Sequence, residues 1–175
     1  FIGSEIYSNP IQHVRIKPPQ RLLSDALKNH GLSDATPFHQ DISTVIPEAD
    51  DANMLTVWVP ITEATPENGC LSVVPRSNKG ELTLQCLTGS DFPDGFIDTK
   101  RVPLPMLPGD VLFMHKRTIH GSLPNVSDDI RFSFDLRYNP IGQPTGRPWF
   151  PGFVARSRMY PRKEMKDPKQ WAQSW

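Results

Sequence analysis

Arg131-Phe132-Ser133-Phe134-Asp135-Leu136-Arg137-Tyr138 alternates without interruption. Phe132, Phe134, Leu136 and Tyr138 fall on one face; Arg131, Ser133, Asp135 and Arg137 fall on the other. A period of two is the mark of a β-strand. Two readings of the polar face stay open: it meets solvent, or it lines the lumen of a barrel that holds a charged ligand. Outward from this stretch the same signal recurs in short pieces. Strands are expected over 12–17, closed by Pro18-Pro19, and over 38–42, 55–61, 70–74, 82–87 and 111–115, the last of them buried, while 102–104 leads into the turn at Pro108. In 55–61, Leu55, Val57, Val59 and Ile61 share one face, with Thr56 and Trp58 on the other. Glu67-Asn68-Gly69 and Pro108-Gly109-Asp110 are turns. Helical spacing is confined to 21–29 and 167–173, 89–100 reads as a long polar loop, and regular structure is not expected between Asn139 and the second helix. Many short strands separated by turns predict a mainly β sandwich or barrel with a few flanking helices.

Composition narrows the function. Of 175 residues, 19 are Lys or Arg and 19 are Asp or Glu, so the formal net charge is zero. That is not the balance of a dedicated nucleic-acid binder. No apolar run approaches the ~18 residues of a membrane span. Two cysteines make neither a disulfide framework nor a zinc knuckle. Proline, at 19 residues, is about twice its usual share of roughly 5% and punctuates the strands. The length suits one domain, 1–175, in which 139–175 forms an arm rich in Pro, Arg and aromatic residues packed on the barrel. Phe1 is not a methionine and no targeting segment is visible, so the expectation is an intracellular, cytoplasmic chain whose N-terminal part lies before Phe1. No oligomeric signal is visible.

The sharpest chemical feature is His39-Gln40-Asp41. On a strand, side chains two apart share a face about 6.6 Å apart along the chain, so an imidazole and a carboxylate can converge on one ion. The bare triplet also fits a surface His beside a turn Asp. His120, after the 111–115 strand and a short loop, is the best third donor. Two His and one carboxylate form a facial triad with open positions, the set of non-haem Fe(II) oxygenases. Arg131, eleven residues after His120, is the residue type for bidentate capture of a carboxylate. A dicarboxylate such as 2-oxoglutarate needs both partners, a metal at one end and an Arg at the other.

Taken together, these residues resemble the phytanoyl-CoA dioxygenase-like family of Fe(II)/2-oxoglutarate oxygenases. The matching blocks are Lys17-Pro18-Pro19; Pro37-Phe38-His39-Gln40-Asp41; Trp58; the run from Glu67-Asn68-Gly69-Cys70 to Ser77, with Lys79-Gly80; Pro108-Gly109-Asp110; His115; His120-Gly121-Ser122; Asn125; Ser127; and Arg131. The resemblance runs over roughly 2–139. It implies a double-stranded β-helix, a jelly roll of the cupin kind. It implies iron on His39, Asp41 and His120, and Arg131 on the distal carboxylate of 2-oxoglutarate. Ser122, Trp58, Thr56 and His13 fall where the family lines the cosubstrate, His13 with a different residue type. Gln40, Ile42, Arg156 and Arg158 are the candidates for touching substrate, and no catalytic group is expected beyond the metal ligands. The implied reaction hydroxylates an unactivated C–H of a small organic molecule with Fe(II), 2-oxoglutarate and O2, releasing succinate and CO2. Asp41 argues against halogenation, because related halogenases lack the carboxylate. The alternatives are a non-redox cupin-like isomerase or hydrolase, which has no need of Arg131, and an inactive binding module, which has no need of the full triad.

Among the rest, His115 reads as a structural hydrogen-bonded residue and His30 as surface. Residues 42–54, with Glu48, Asp50 and Asp51, form either a lid at the barrel mouth or a solvated loop. The basic tail, 147–169, reads as a surface arm, with Arg156 or Arg158 at an anionic substrate as the sharper alternative.

Overall fold

A computed structural model of the chain describes residues 1–28, 34–82, 92 and 95–175. The strands are β1 (Glu5–Ser8), β2 (His13–Lys17), β3 (Leu55–Pro60), β4 (Leu71–Val73), β5 (Val102–Leu104), β6 (Leu112–His115), β7 (His120–Ser122), β8 (Arg131–Pro140) and β9 (Phe153–Ser157). The helices are α1 (Phe96–Lys100) and α2 (Pro168–Ala172). The larger sheet runs β6-β3-β8-β1-β9, with β2 also on β8; the smaller runs β5-β4-β7. Every pairing is antiparallel. The fold is mainly β, a jelly roll. Among the described residues no helix is long and apolar enough to cross a membrane.

The ten-residue β8 organises the larger sheet. Its first half pairs with β2, from Lys17 opposite Arg131 to His13 opposite Asp135, and its last residues pair with β1. Its other edge takes β3, with Thr56 opposite Arg137 and Trp58 opposite Asp135. The polar face of β8 is the inner one: Arg131, Ser133, Asp135, Arg137 and Asn139 are all buried. Phe134 on the opposite face is 39% exposed. β3 is turned the same way, with Thr56 and Trp58 sealed inside and Ile61 exposed. The apolar core gathers Trp58, Ala64, Cys70, Leu71 and Met114 at one end of the space between the sheets. The charged residues fill the rest.

Several local expectations do not hold. The described residues 21–28 form no α-helix: a 3-10 turn covers Gln20–Leu22, and only Leu23 is buried while Leu22 and Leu27 are exposed, so the spacing builds no packed helical face. Of the 38–42 strand only a single bridge at His39 remains, and Asp41–Thr44 is 3-10. β6 is not buried; of its residues only Met114 is. Of the expected 89–100 loop, Phe96–Lys100 is α1, and 89–91, 93 and 94 lie outside the described residues. The 139–175 segment is more than an arm, because β9 joins the larger sheet through β1. The 82–87 strand and His30 lie outside the described residues, apart from Leu82, which is not in a strand.

Candidate metal centre

His39 and His120 meet because their backbones pair. The His39 N–H donates to the His120 carbonyl at 2.8 Å, and the His120 N–H donates to the His39 carbonyl at 2.9 Å. Directly paired antiparallel residues project to the same face, and the two imidazoles lie 4.4 Å apart between centroids. Gly121 permits the approach: a Cβ there would sit 2.8 Å from the Thr36 carbonyl oxygen and 3.0 Å from the Phe38 ring. After Gln40 the chain coils into the 3-10 turn. Asp41 reaches the pair from that turn, not from a regular strand. Its Oδ1 lies 3.6 Å from His39 Nε2 and 3.9 Å from His120 Nε2. One donor atom from each of His39, Asp41 and His120 falls within 4.8 Å of the others, and all three residues are buried.

The hydrogen bonds fit these residues to a metal. His39 Nδ1 faces the Pro37 carbonyl at 2.8 Å, and His120 Nδ1 faces the Thr118 carbonyl at 2.9 Å. A carbonyl only accepts, so each Nδ1 carries the hydrogen and each Nε2 presents a lone pair toward Asp41. Burial pushes the His120 imidazole below its usual range, against the pull of Asp41. Burial alone would raise the Asp41 carboxyl. Arg137, His120 and His39 outweigh it and hold Asp41 well below the usual carboxylate range. Thr56 Oγ1 donates to Asp41 Oδ2 and Arg137 Nη2 donates to Oδ1. Two imidazoles with Nε2 turned to one anchored carboxylate suit Fe(II) and its neighbours in the first row.

A narrow cleft runs from this cluster to Arg131, lined by His39, His120, Trp58, Ser122, Thr36 and Arg131 among others. Arg131 is fully buried, and its Cζ lies 5.5 Å from the Trp58 ring centre. Its Nη1 donates to Ser133 Oγ at 2.5 Å. Its Nε and Nη2, and Trp58 Nε1, have no hydrogen-bond partner. Burial pushes the guanidinium down to about 10, with Arg15 adding, and it stays cationic at neutral pH. Buried donors without partners cost about 1–3 kcal/mol each, so such a group marks a ligand position. Ser122 Oγ accepts from the Thr36 N–H at 2.8 Å.

The structure thus brings His39, Asp41, His120, Thr56, Trp58, Ser122 and Arg131 together. Thr56 serves the Asp41 carboxylate. His13 lies on the metal side, in a cavity bounded by His39 and Arg137. The four substrate candidates are placed elsewhere. Gln40 is buried and donates to the Arg117 carbonyl at 2.8 Å, and Ile42 is buried in packing. Arg156 lies on the outer face of the larger sheet with Leu55 and Tyr138. Arg158 is exposed, and its N–H donates to Glu5. His115 is exposed; its Nδ1 accepts from the Arg117 N–H at 3.1 Å. The 42–54 stretch is pinned by buried Lys116, which donates to the Asp50 and Ala52 carbonyls.

Four charged residues at the site were not singled out by sequence reasoning. Arg15 Nε donates to Asp135 Oδ2 at 2.9 Å, Arg137 holds Asp41, and Arg147 Nη2 donates to the Thr44 carbonyl at 2.5 Å. Asp135 and Arg137 share the polar face with Arg131, and that alternation was their signal. Arg15 had the same signal through its place in β2.

The family model described as Phytanoyl-CoA dioxygenase (PhyH) matches residues 6–133. The chain is similar to a 1-deoxypentalenic acid 11-beta-hydroxylase of Streptomyces arenae, 32% identical over 132 residues, covering 65% of this chain and 46% of that protein. It is 29% identical over 136 residues to phytanoyl-CoA dioxygenase 1 of Oryza sativa subsp. japonica, covering 74% of this chain and 48% of that one. Among solved structures, the epimerase SnoN in complex with Fe3+, alpha ketoglutarate and nogalamycin RO aligns with a TM-score of 0.64 at 25% identity, over 84% of this chain and 56% of SnoN. The chain spans about half the length of these relatives.

Proposed function

The chain belongs to the phytanoyl-CoA dioxygenase family, and from that premise we propose that it is an Fe(II)- and 2-oxoglutarate-dependent dioxygenase. It hydroxylates an unactivated C–H of a small organic molecule. The observation that carries the reading is the pair of histidines with Nδ1 tied to carbonyls and both Nε2 atoms turned to one buried carboxylate oxygen.

His39, Asp41 and His120 would hold the metal. Bound iron supplies O2 activation coupled to decarboxylation of 2-oxoglutarate, so that 2-oxoglutarate, O2 and R–H become succinate, CO2 and R–OH. The protein's part is orientation. The Pro37 and Thr118 carbonyls fix both imidazole tautomers. Thr56 and Arg137 fix the Asp41 carboxylate. Arg131 offers Nε and Nη2 to the far carboxylate of the cosubstrate, with Trp58 flanking it and Ser122 nearby. Burial of these groups excludes water and strengthens each charge-assisted contact. A hydrolase or isomerase on the same ligands has no use for the unpartnered Arg131 face.

The test is direct. Protein with Fe(II), ascorbate and 2-oxoglutarate should release succinate slowly, and faster with a true substrate. No succinate across a broad substrate panel overturns the proposal.

A further inference from the structure

A second cavity, of about 430 Å3, adjoins the metal-ligand cluster through His39 and Arg137. Its volume lies in the range of small-molecule sites, about 300–1,000 Å3. One wall is basic, with His13, Arg137 and Arg147. The same lining includes aromatic residues: Phe150 and Trp175 meet with ring centres 5.4 Å apart. Arg147 is half-buried. It is held by one bond to the Thr44 carbonyl, and no carboxylate lies within ion-pair distance of it among the described residues.

Among the described residues, Arg137 meets its counter-charges in Asp41 and Asp135, whereas Arg147 meets only the Thr44 carbonyl. A partly buried charge without a counter-charge is costly, so Arg147 calls for an anion in this cavity.

We propose that this cavity receives the substrate by a terminal oxyanion, carboxylate or phosphonate, on Arg147, with the apolar body of the substrate against Phe150 and Trp175. This rests on the reading of the cluster as an Fe(II)/2-oxoglutarate site and assigns that site its substrate class. Arg forks match planar oxyanions bidentately. The aromatic residues of the same cavity, which His39 also lines, give the carbon skeleton an apolar surface.

The test uses the full chain saturated with Mn(II) and 2-oxoglutarate, so that Arg131 is already engaged. The probes are 3-phenylpropanoate, 3-phenylpropylphosphonate and neutral 3-phenylpropanamide, with affinity read by calorimetry. At least one anion should bind about tenfold or more tighter than the amide, as charge-assisted hydrogen bonds imply. Arg147→Gln should bring the preference to within about twofold, and Arg147→Lys should keep part of it. Arg162→Gln, at an exposed position, should leave it unchanged. Equal binding of anions and amide, no binding of either anion, or a preference that survives Arg147→Gln overturns the proposal. If Arg147→Gln does not fold, the wild-type comparison and Arg147→Lys decide. Succinate release with Fe(II) and no probe is recorded in parallel. Anion preference without succinate overturns the proposed reaction alone; succinate without anion preference overturns this inference alone.

Discussion

Replacing Arg137 by Met separates the folding role of the cluster from its metal role. Arg137 is 2% exposed, and its Nη2 donates to the fully buried Asp41 carboxylate and lies 3.7 Å from Asp135 Oδ1. Met is unbranched and of similar length, so the change removes charge more than volume. Breaking a buried ion pair by removing one partner costs about 3–5 kcal/mol, because the other charge is stranded. For a chain of this size each kcal/mol moves the melting temperature by roughly 2–4 °C. Metal-free Arg137→Met should therefore melt about 6–20 °C below metal-free wild type. A divalent ion among His39, Asp41 and His120 would return a counter-charge to Asp41. Saturating Mn(II) should then raise the melting temperature of the variant more than that of wild type and narrow the gap. Scanning calorimetry with EDTA and with Mn(II) reads both quantities. In an Asp41→Asn background the same Arg137→Met change should cost much less, since the stranded charge is gone. A gap that Mn(II) leaves equal or wider, or a cost unaffected by Asp41→Asn, refutes the assignment of Arg137 as the counter-ion of Asp41.

Three other outcomes are expected. Asp41→Ala should abolish Mn(II) uptake measured by calorimetry and succinate release together; retained turnover would mean a different ligand set. Arg131→Gln should weaken 2-oxoglutarate by about tenfold to a hundredfold, from the loss of charge-assisted bonds worth about 1.5–3 kcal/mol, while leaving the KM for substrate nearly unmoved; equal effects on both would contradict its role. Lys17 is fully buried, and burial first, with Arg131 and Arg15, pushes its amino group down to about 7. Between about 7 and its unfolded value near 10.4, the unfolded chain holds a proton that the folded chain lacks, so stability rises with pH across that window. Lys17→Met should remove this rise between pH 7 and 9 in denaturant unfolding; an unchanged slope would refute it.

The fold was legible wherever alternation was long. β8 is correct to within two residues at its end, and β3 to within one. Periodicity cannot say which face is inside, and in both strands the polar or mixed face is the inner one. At the sequence level both readings of the β8 polar face stay open, and only the resemblance, with Arg131 on a dicarboxylate, implies the inner one. The three residues proposed as metal ligands do lie together, yet not in the geometry argued. His39 and His120 meet by backbone pairing, and Asp41 turns back through a 3-10 coil. That coil depends on contacts such as Ile42 N–H to the Lys116 carbonyl at 3.1 Å, 74 positions away, which no local pattern carries. β1 and β9 were missed for a related reason. They are short, they follow Gly or Pro segments, and they hold each other and β8 through pairings that join the two ends of the sequence. Arg147 was hidden among other basic residues of the tail, while Arg156 and Arg158 looked equivalent in sequence and lie on outer surfaces.

The inside-out strands tie the site to the stability of the fold. A jelly roll that filled its interior with the Phe and Leu residues of β8 would bury more apolar area, worth about 25 cal/mol per Å2. This one turns Phe134 partly to solvent and puts Arg131, Asp135 and Arg137 inside. Its apolar cluster around Trp58, Leu71 and Met114 borders these charges directly, with Arg131 over the Trp58 ring. The buried charges offset one another only in part: Arg131 keeps two unpartnered nitrogens, and Asp135 Oδ1 and Arg137 Nε have no hydrogen-bond partner. Each such group costs folding free energy until a ligand meets it. A metal and an anionic cosubstrate that bound only the folded chain would offset part of this cost by mass action. Affinity for these ligands and marginal stability without them have one physical source, the polar face of β8 turned inward.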